Sequence, residues 1–249
     1  MREGSPEVRV LTCEAAVPVL LDELRRALAR GGVISFATGN TFTPFLRALA
    51  DELQAGRIAS EFAATHLDEY LGFEAEQRGG MVHELCTLCP PLGSMLARGT
   101  FLPVPSDGSD ASLKAHAAKI ARAGGVALQF LGIGRNGHLA FNEPGTPFDR
   151  GPHVAKLAET TRDDARARFL PDEPPTHAVT SGLATILDSK RIVLCAFGRA
   201  KAEALRNMLH GEIGAGCPAS ALRRHAGALV LIDREAQSGI DSGRVGCAP

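Results

Sequence analysis

Short apolar runs alternate along this chain with stretches in which apolar positions recur every three or four residues. Between residues 14 and 30, Val17, Leu20, Leu21, Leu24 and Leu28 form one face of a predicted helix, which Gly31 and Gly32 end. Residues 33–37 then predict a buried strand that runs straight into Thr38, Gly39, Asn40 and Thr41, before a helix with Phe45, Leu46, Leu49 and Leu53 on one side. A strand is expected at 61–66, ending in L-D-E-Y-L-G. Residues 73–99 are mixed, with a helix at 81–88 and a short turn after Gly93. Strand 101–104 and helix 112–122 lead to the run 126–131, five of whose six residues are apolar. Strands are expected again at 153–157, 176–180, 192–196 and 228–232, and helical pieces at 162–169, 183–187, 198–210 and from 217. Alternation of this kind predicts a mainly parallel sheet covered on both faces. The tail 237–249 is expected to be mobile.

The chemistry concentrates where the strand at 126–131 stops, in the stretch A-L-Q-F-L-G-I-G-R-N-G-H-L-A-F-N-E-P-G. Gly132, Gly134 and Gly137 let the backbone turn tightly and approach a ligand, and His138 and Glu143 follow within a few residues. Asn136 stands two residues before the histidine, placed to orient its ring. A plain surface loop would need no such convergence. In open α/β sheets the crevice beyond the carboxyl ends of the strands is where ligands bind, which favours the functional reading. The T-G-N-T turn either presents free N–H groups to an anion at a helix start or is simply capped by Asn40 or Thr41. Asp68 and Glu69 either cap a turn or supply a general base.

Composition narrows the field. A chain of 249 residues with 45% apolar and 22% charged residues suits one large soluble α/β domain or two small ones, one domain being preferred. A formal net charge of −1 gives no electrostatic footprint for nucleic acid, and no run approaches the ~18 apolar residues of a membrane span. No basic start leads into an apolar leader, so a cytoplasmic location is expected. Six scattered cysteines read as reduced thiols. His83, Cys86 and Cys89 have metal-like spacing but lack a fourth ligand and a second paired element, so the expectation is buried thiols beside a loop begun by Pro90 and Pro91.

Together the segments T-G-N-T, L-D-E-Y-L-G, L-G-I-G-R-N-G-H-L-A-F-N-E-P-G, F-G-R-A-K-A and P-A-S-A-L resemble the glucosamine-6-phosphate deaminase family, over residues 33–233 and in the family's order. The G-x-G-x-N/D-G-H-x-x-F-N-E-P run is the specific part. The resemblance implies a single-domain, Rossmann-like three-layer α/β/α sandwich that converts glucosamine 6-phosphate and water to fructose 6-phosphate and ammonia, without metal or organic cofactor. It implies Asp68 as the general base that moves a proton from carbon 2 to carbon 1, and His138, with Asn136 and Glu143 beside it, as the acid that opens the ring. Thr38, Gly39, Asn40, Thr41, Gly137, Lys201 and Arg168 would bind the sugar phosphate, Arg168 being preferred to Arg166. The partner is therefore a small amino-sugar phosphate, and assembly into a homo-oligomer is left open.

The chain also departs from that pattern. Asn136 stands where some members have aspartate, so its amide oxygen can orient an imidazole but offers no full negative charge. Phe42 replaces a proline common after the T-G-x-T turn, and residues 78–82, R-G-G-M-V, lack an expected Ser-Tyr pair. Where allosteric members carry a basic pair this chain has His153 and Ala155, from which absence of activation by a second sugar phosphate is expected. The 6-phosphogluconolactonases share the glycine-rich loop but resemble this chain without F-N-E-P and with an arginine after the Asp-Glu pair. Tyr70 and residues 141–144 thus favour a deaminase, with glucosamine versus galactosamine 6-phosphate undecided. A sugar-phosphate sensing regulator would need a DNA-reading element, whereas the segment before residue 33 reads as one helix.

Overall fold

The apolar runs become strands because each is flanked by helices that cover both of its faces. A computed structural model describes residues 5–241. Its main sheet consists of β1 (Glu7–Val10), β2 (Val33–Phe36), β3 (Ala63–His66), β5 (Phe101–Leu102), β6 (Val126–Leu131), β9 (Ile192–Ala196) and β10 (Ala228–Ile232). The seven strands are all parallel, in the order β1-β10-β9-β6-β2-β3-β5. Every residue of β2, β9 and β10 is buried, as strands covered on both sides must be.

The helices are α1 (Cys13–Leu28), α2 (Thr43–Gln54), α3 (Met81–Leu88), α4 (Pro90–Ala97), α5 (Asp110–Arg122), α6 (Glu159–Phe169), α7 (Leu183–Leu187), α8 (Ala202–His210) and α9 (Arg234–Asp241). Right-handed crossovers place α1 and α2, which pack on each other, on one face, and α5, α7 and α8 on the other. The result is the expected three-layer α/β/α sandwich in a single domain. Thr12 caps α1 by accepting a hydrogen bond from the Ala15 N–H at 3.2 Å.

Several expectations are corrected. The first strand is β1, not the run at 33: its E-V-R-V sequence alternates, and Val8 and Val10 are 39% and 45% exposed on an edge. The L-D-E-Y segment is not the end of a strand but holds β4 (Asp68–Tyr70). β4 joins β8 (His177–Thr180) and β7 (His153–Lys156) in a small antiparallel sheet of order β4-β8-β7 that the sequence did not announce. Pro90 and Pro91 start α4 rather than a loop, because a first helical turn does not miss their N–H groups. The helical stretch after Gly198 is split into a 3-10 turn, Arg199–Lys201, and α8. Residues 237–241, expected in a mobile tail, continue α9 behind the fully buried Ala236, and 242–249 lie outside the described residues.

Cys13, Cys86, Cys89, Cys195 and Cys217 are free thiols, and Cys247 lies outside the described residues. Among the described residues no group of three metal-ligating side chains forms, and no helix is long and apolar enough to cross a membrane.

Phe42, the residue in place of proline, is fully buried against Phe45 and Phe130, with ring centroids 6.5 and 6.2 Å away. It therefore fastens the T-G-N-T turn to β6 through packing. Phe42→Ala should cost about 3–5 kcal/mol in stability, read as a lowered midpoint in urea unfolding with an unchanged slope.

Candidate active site

A cavity of about 600 Å³ opens where β2 and β6 end and the small sheet and α6 overhang them. Thr38, Gly39, Asn40, Thr41, Asp68, His138, Arg168 and Lys201 all line it. Asn136, Gly137 and Glu143 do not line it; they support His138 from behind.

Backbone shape decides where the imidazole sits. A β-carbon on Gly134 would overlap the His138 ring, and Gly137 adopts φ +85° with no room for one against the Cys217 Sγ. Ala140, just beyond, takes φ 52°, a conformation that non-glycine residues rarely hold. The His138 Nδ1 lies 3.5 Å from Glu143 Oε2 and 3.3 Å from Thr161 Oγ1. Nε2 has no partner among the described residues.

Glu143 is the hub of this network. Its Oε1 accepts from Thr161 Oγ1 at 2.6 Å and from the Ala158 N–H at 3.1 Å, and its Oε2 accepts from Asn136 Nδ2 at 2.8 Å. Burial alone would raise this carboxyl, but the hydrogen bonds from His138, Thr161 and Asn136 outweigh it and hold the group at about 2. The expectation for Asn136 is thereby corrected. Its amide oxygen accepts from the His138 backbone N–H at 3.2 Å, not from the ring, and the full negative charge beside the imidazole is that of Glu143.

The adjacent carboxylates at the start of β4 part company, because successive strand residues face opposite ways. Glu69 turns inward and accepts from the N–H groups of Tyr70, Met81 and Val82 at 2.9–3.0 Å, so it caps α3. The R-G-G-M-V departure fits that role: a β-carbon on Gly80 would stand 3.2 Å from the Glu69 carboxylate. Asp68 faces the cavity. Burial, reinforced by Glu69 and Glu84 and opposed by Arg168, pushes its carboxyl up to about 8. Tyr70 packs among Phe73, Phe141 and Phe169 as the apolar wall beside it.

The opposite side of the cavity is built for an anion. α2 starts after Phe42, and neither Asn40 nor Thr41 caps it; their N–H groups find no acceptor among the described residues. Lys201, with its basicity lowered by burial, and Arg168 also line the cavity and bring positive charge to it.

Glu84, unforeseen, joins the two parts: its Oε1 accepts from the Gly39 N–H at 2.7 Å and its Oε2 pairs with Arg168 at 2.7 Å. Met81 Sδ sits between Thr38 Oγ1 and Arg168 Nη1 at 3.0 and 3.3 Å. Thr161 and the Arg135–Asp164 pair, 2.6 Å apart, also line the cavity and were missed. An acid in the first turn of a predicted helix was the available signal for Glu84; nothing comparable marked Thr161.

Arg166 points away from the cavity into pairs with Asp163 and Glu173. Arg168→Ala should raise KM for a phosphorylated substrate about 10–100-fold, as loss of a charge-assisted contact does, with Arg166→Ala within about twofold of the parent in the same steady-state assay.

Fold and site together place this protein among acid/base enzymes of small anionic substrates built on a parallel α/β sheet. The chain belongs to the glucosamine-6-phosphate isomerase/6-phosphogluconolactonase family, whose model matches residues 10–231. It is 37% identical over 213 residues to a glucosamine-6-phosphate deaminase from Colwellia psychrerythraea, with 84% of this chain and 80% of that one covered. To the deaminase of Bacillus velezensis it is 35% identical over 243 residues, covering 93% of this chain and all (100%) of that one. Among solved structures, a monomeric glucosamine-6-phosphate deaminase matches with a TM-score of 0.80 at 32% identity, covering 93% and 99% of the two chains. The 6-phosphogluconolactonase of Trypanosoma brucei matches with a TM-score of 0.73 at 16% identity, covering 95% and 99%, a likeness of fold.

Proposed function

We propose that this protein converts glucosamine 6-phosphate and water to fructose 6-phosphate and ammonia. The observation that carries this reading is a single cavity with a buried carboxylate of raised pKa on one side, a carboxylate-backed imidazole on another and an N–H- and cation-lined turn on a third.

The phosphate docks against the T-G-N-T turn, Lys201 and Arg168, and so fixes the sugar's register. His138 donates a proton from Nε2 to the ring oxygen, and Glu143 stabilises the imidazolium that precedes this transfer. In the opened sugar, Asp68 removes the proton from carbon 2 to give an enol-type intermediate and returns it to carbon 1. The amino group then hangs from a carbon–nitrogen double bond at carbon 2. Water adds there and ammonia leaves, which balances the reaction. A base whose pKa lies near the working pH is effective at moving a carbon-bound proton. The 35–38% identity to proteins named as deaminases supports this reading over lactone hydrolysis.

The test is a parallel assay of purified protein with glucosamine 6-phosphate, galactosamine 6-phosphate and 6-phosphogluconolactone. Ammonia release from glucosamine 6-phosphate is expected. Lactone hydrolysis without ammonia from either sugar would overturn the reading in favour of a lactonase, and silence on all three would make the protein a binder.

A further inference from the structure

A second cavity, of about 810 Å³, lies on the face of the main sheet away from α1 and α2, between α5 and α7. Three strands place a polar side chain on its floor. Ser35 of β2 stands opposite both Thr65 of β3 and Gln129 of β6 in the parallel register, and residues opposed in this way point to one face. Their neighbours Phe36 and Phe130 point the other way, into the aromatic cluster with Phe45 of α2. A row of polar residues across the centre of a parallel sheet is unlike the aliphatic surface that normally meets a helix there.

The hydrogen bonds of this row are incomplete in an informative way. Thr65 Oγ1 donates to the Leu102 carbonyl at 2.7 Å and lies 3.3 Å from His116 Nε2. Gln129 Nε2 donates to the Phe130 carbonyl at 2.9 Å. Gln129 Oε1 and the Ser35 hydroxyl find no partner among the described residues and, unlike the enclosed and unpaired His66 Nδ1, are open to the cavity. Both residues line the cavity. Polar atoms on a cavity wall take their partner from whatever enters the cavity, water or ligand.

The roof completes the picture. Leu113, Ile120 and Ala117 of α5 supply an apolar surface, and the one carboxylate of the lining, Asp188, belongs to an exposed residue. Burial keeps His66 and His116 uncharged near neutral pH. The interior is therefore neutral: apolar above, with the Gln129 amide oxygen and the Ser35 hydroxyl open to it below and the Ser181 and Thr185 hydroxyls also in the lining.

We infer that this cavity is a second binding site, for a small uncharged ring compound that presents a carboxamide or hydroxyl edge to Gln129 and Ser35. The ring stacks beneath α5, an N–H or O–H of the ligand donates to Gln129 Oε1, and Ser35 closes the pair. An anionic sugar phosphate does not fit this site, because no cationic side chain lines it. The inference is independent of the reaction proposed above.

Benzamide is a suitable probe, titrated into the full ¹⁵N-labelled chain while the backbone amide signals of Ser35 and Thr65, present in parent and variants alike, are followed. A saturable shift with a dissociation constant of about 1 mM or tighter is expected for a ligand of about nine heavy atoms. Gln129→Leu should weaken benzamide at least about tenfold, a loss typical of one missing hydrogen bond at a buried polar group, and leave ammonia release unchanged. Ala117→Phe, at an exposed roof position, should abolish the shift by filling the cavity, and it carries the test if Gln129→Leu does not fold. The inference is overturned if benzamide gives no saturable shift up to about 10 mM, ten times the dissociation constant expected for so small a ligand. It is equally overturned if toluene binds as well and Gln129→Leu changes nothing, or if Ala117→Phe still binds.

Discussion

Asp68→Asn should lower ammonia release from glucosamine 6-phosphate by about 10²–10⁴-fold, the range over which a positioned general base accelerates proton transfer. KM should change less than kcat, because the proposed phosphate contacts are side chains and N–H groups other than Asp68. The same substitution should stabilise the fold, with a sign set by burial. The Asp68 carboxyl is raised from 3.8 to about 8, so between those values the folded protein holds a proton that the unfolded chain releases. Stability contributed by this group is therefore full below the lower value, falls as pH rises through the interval, and stays lost above the upper one. Asparagine carries no such titration. Thermal unfolding should show the variant more stable than the parent at about pH 9, with the gap closing towards pH 4. The parent's kcat/KM should climb towards pH 8 as the free carboxyl ionises. A variant that keeps near-parental turnover would remove Asp68 from the proposed chemistry.

Glu143→Gln is expected to cost about 10²–10³-fold in kcat, since a neutral amide leaves the His138 imidazolium without its counter-charge. It also turns one of the two acceptor oxygens into an NH2 donor, so the side chain can no longer accept from Asn136 Nδ2 and from the Thr161 and Ala158 donors together. The carboxyl sits at about 2, below its ordinary 4.5, so it favours the folded state fully above the higher value and ceases to do so as pH falls through the lower. Glutamine forfeits that contribution. The variant should unfold at lower temperature than the parent at neutral pH and converge with it in strong acid, a comparison that calorimetry makes directly.

Much of this was legible in the chain because burial on both faces writes itself as unbroken apolar runs, such as I-V-L-C-A and A-L-V-L-I. The C-terminal ends of those runs, with their glycines and polar side chains, likewise marked the cavity. What stayed hidden depends on contacts between distant segments. β4 is only three residues long and exists because Asp68 pairs with Thr180, more than a hundred positions away. Its effect is to separate Asp68 from Glu69, two side chains that sequence alone treats as equivalent. Glu84 and Thr161 have the same origin: a carboxylate 45 residues from Gly39 and a hydroxyl 18 residues from Glu143 acquire meaning only when α3 and α6 arrive. Edge strand β1 escaped detection for a different reason, since its exposed valines resemble the pattern of a loop.

The helix α6 is gripped at both ends: Thr161 near its start bonds the Glu143 carboxylate, and Arg168 near its finish faces the anion-binding turn. A phosphate held at the far end is thereby a handle on the near end, where the imidazole receives its counter-charge. The dephosphorylated sugar lacks that handle. On the proposed docking, the dephosphorylated sugar should therefore lose turnover as well as affinity, a lower kcat beside a raised KM in steady-state kinetics.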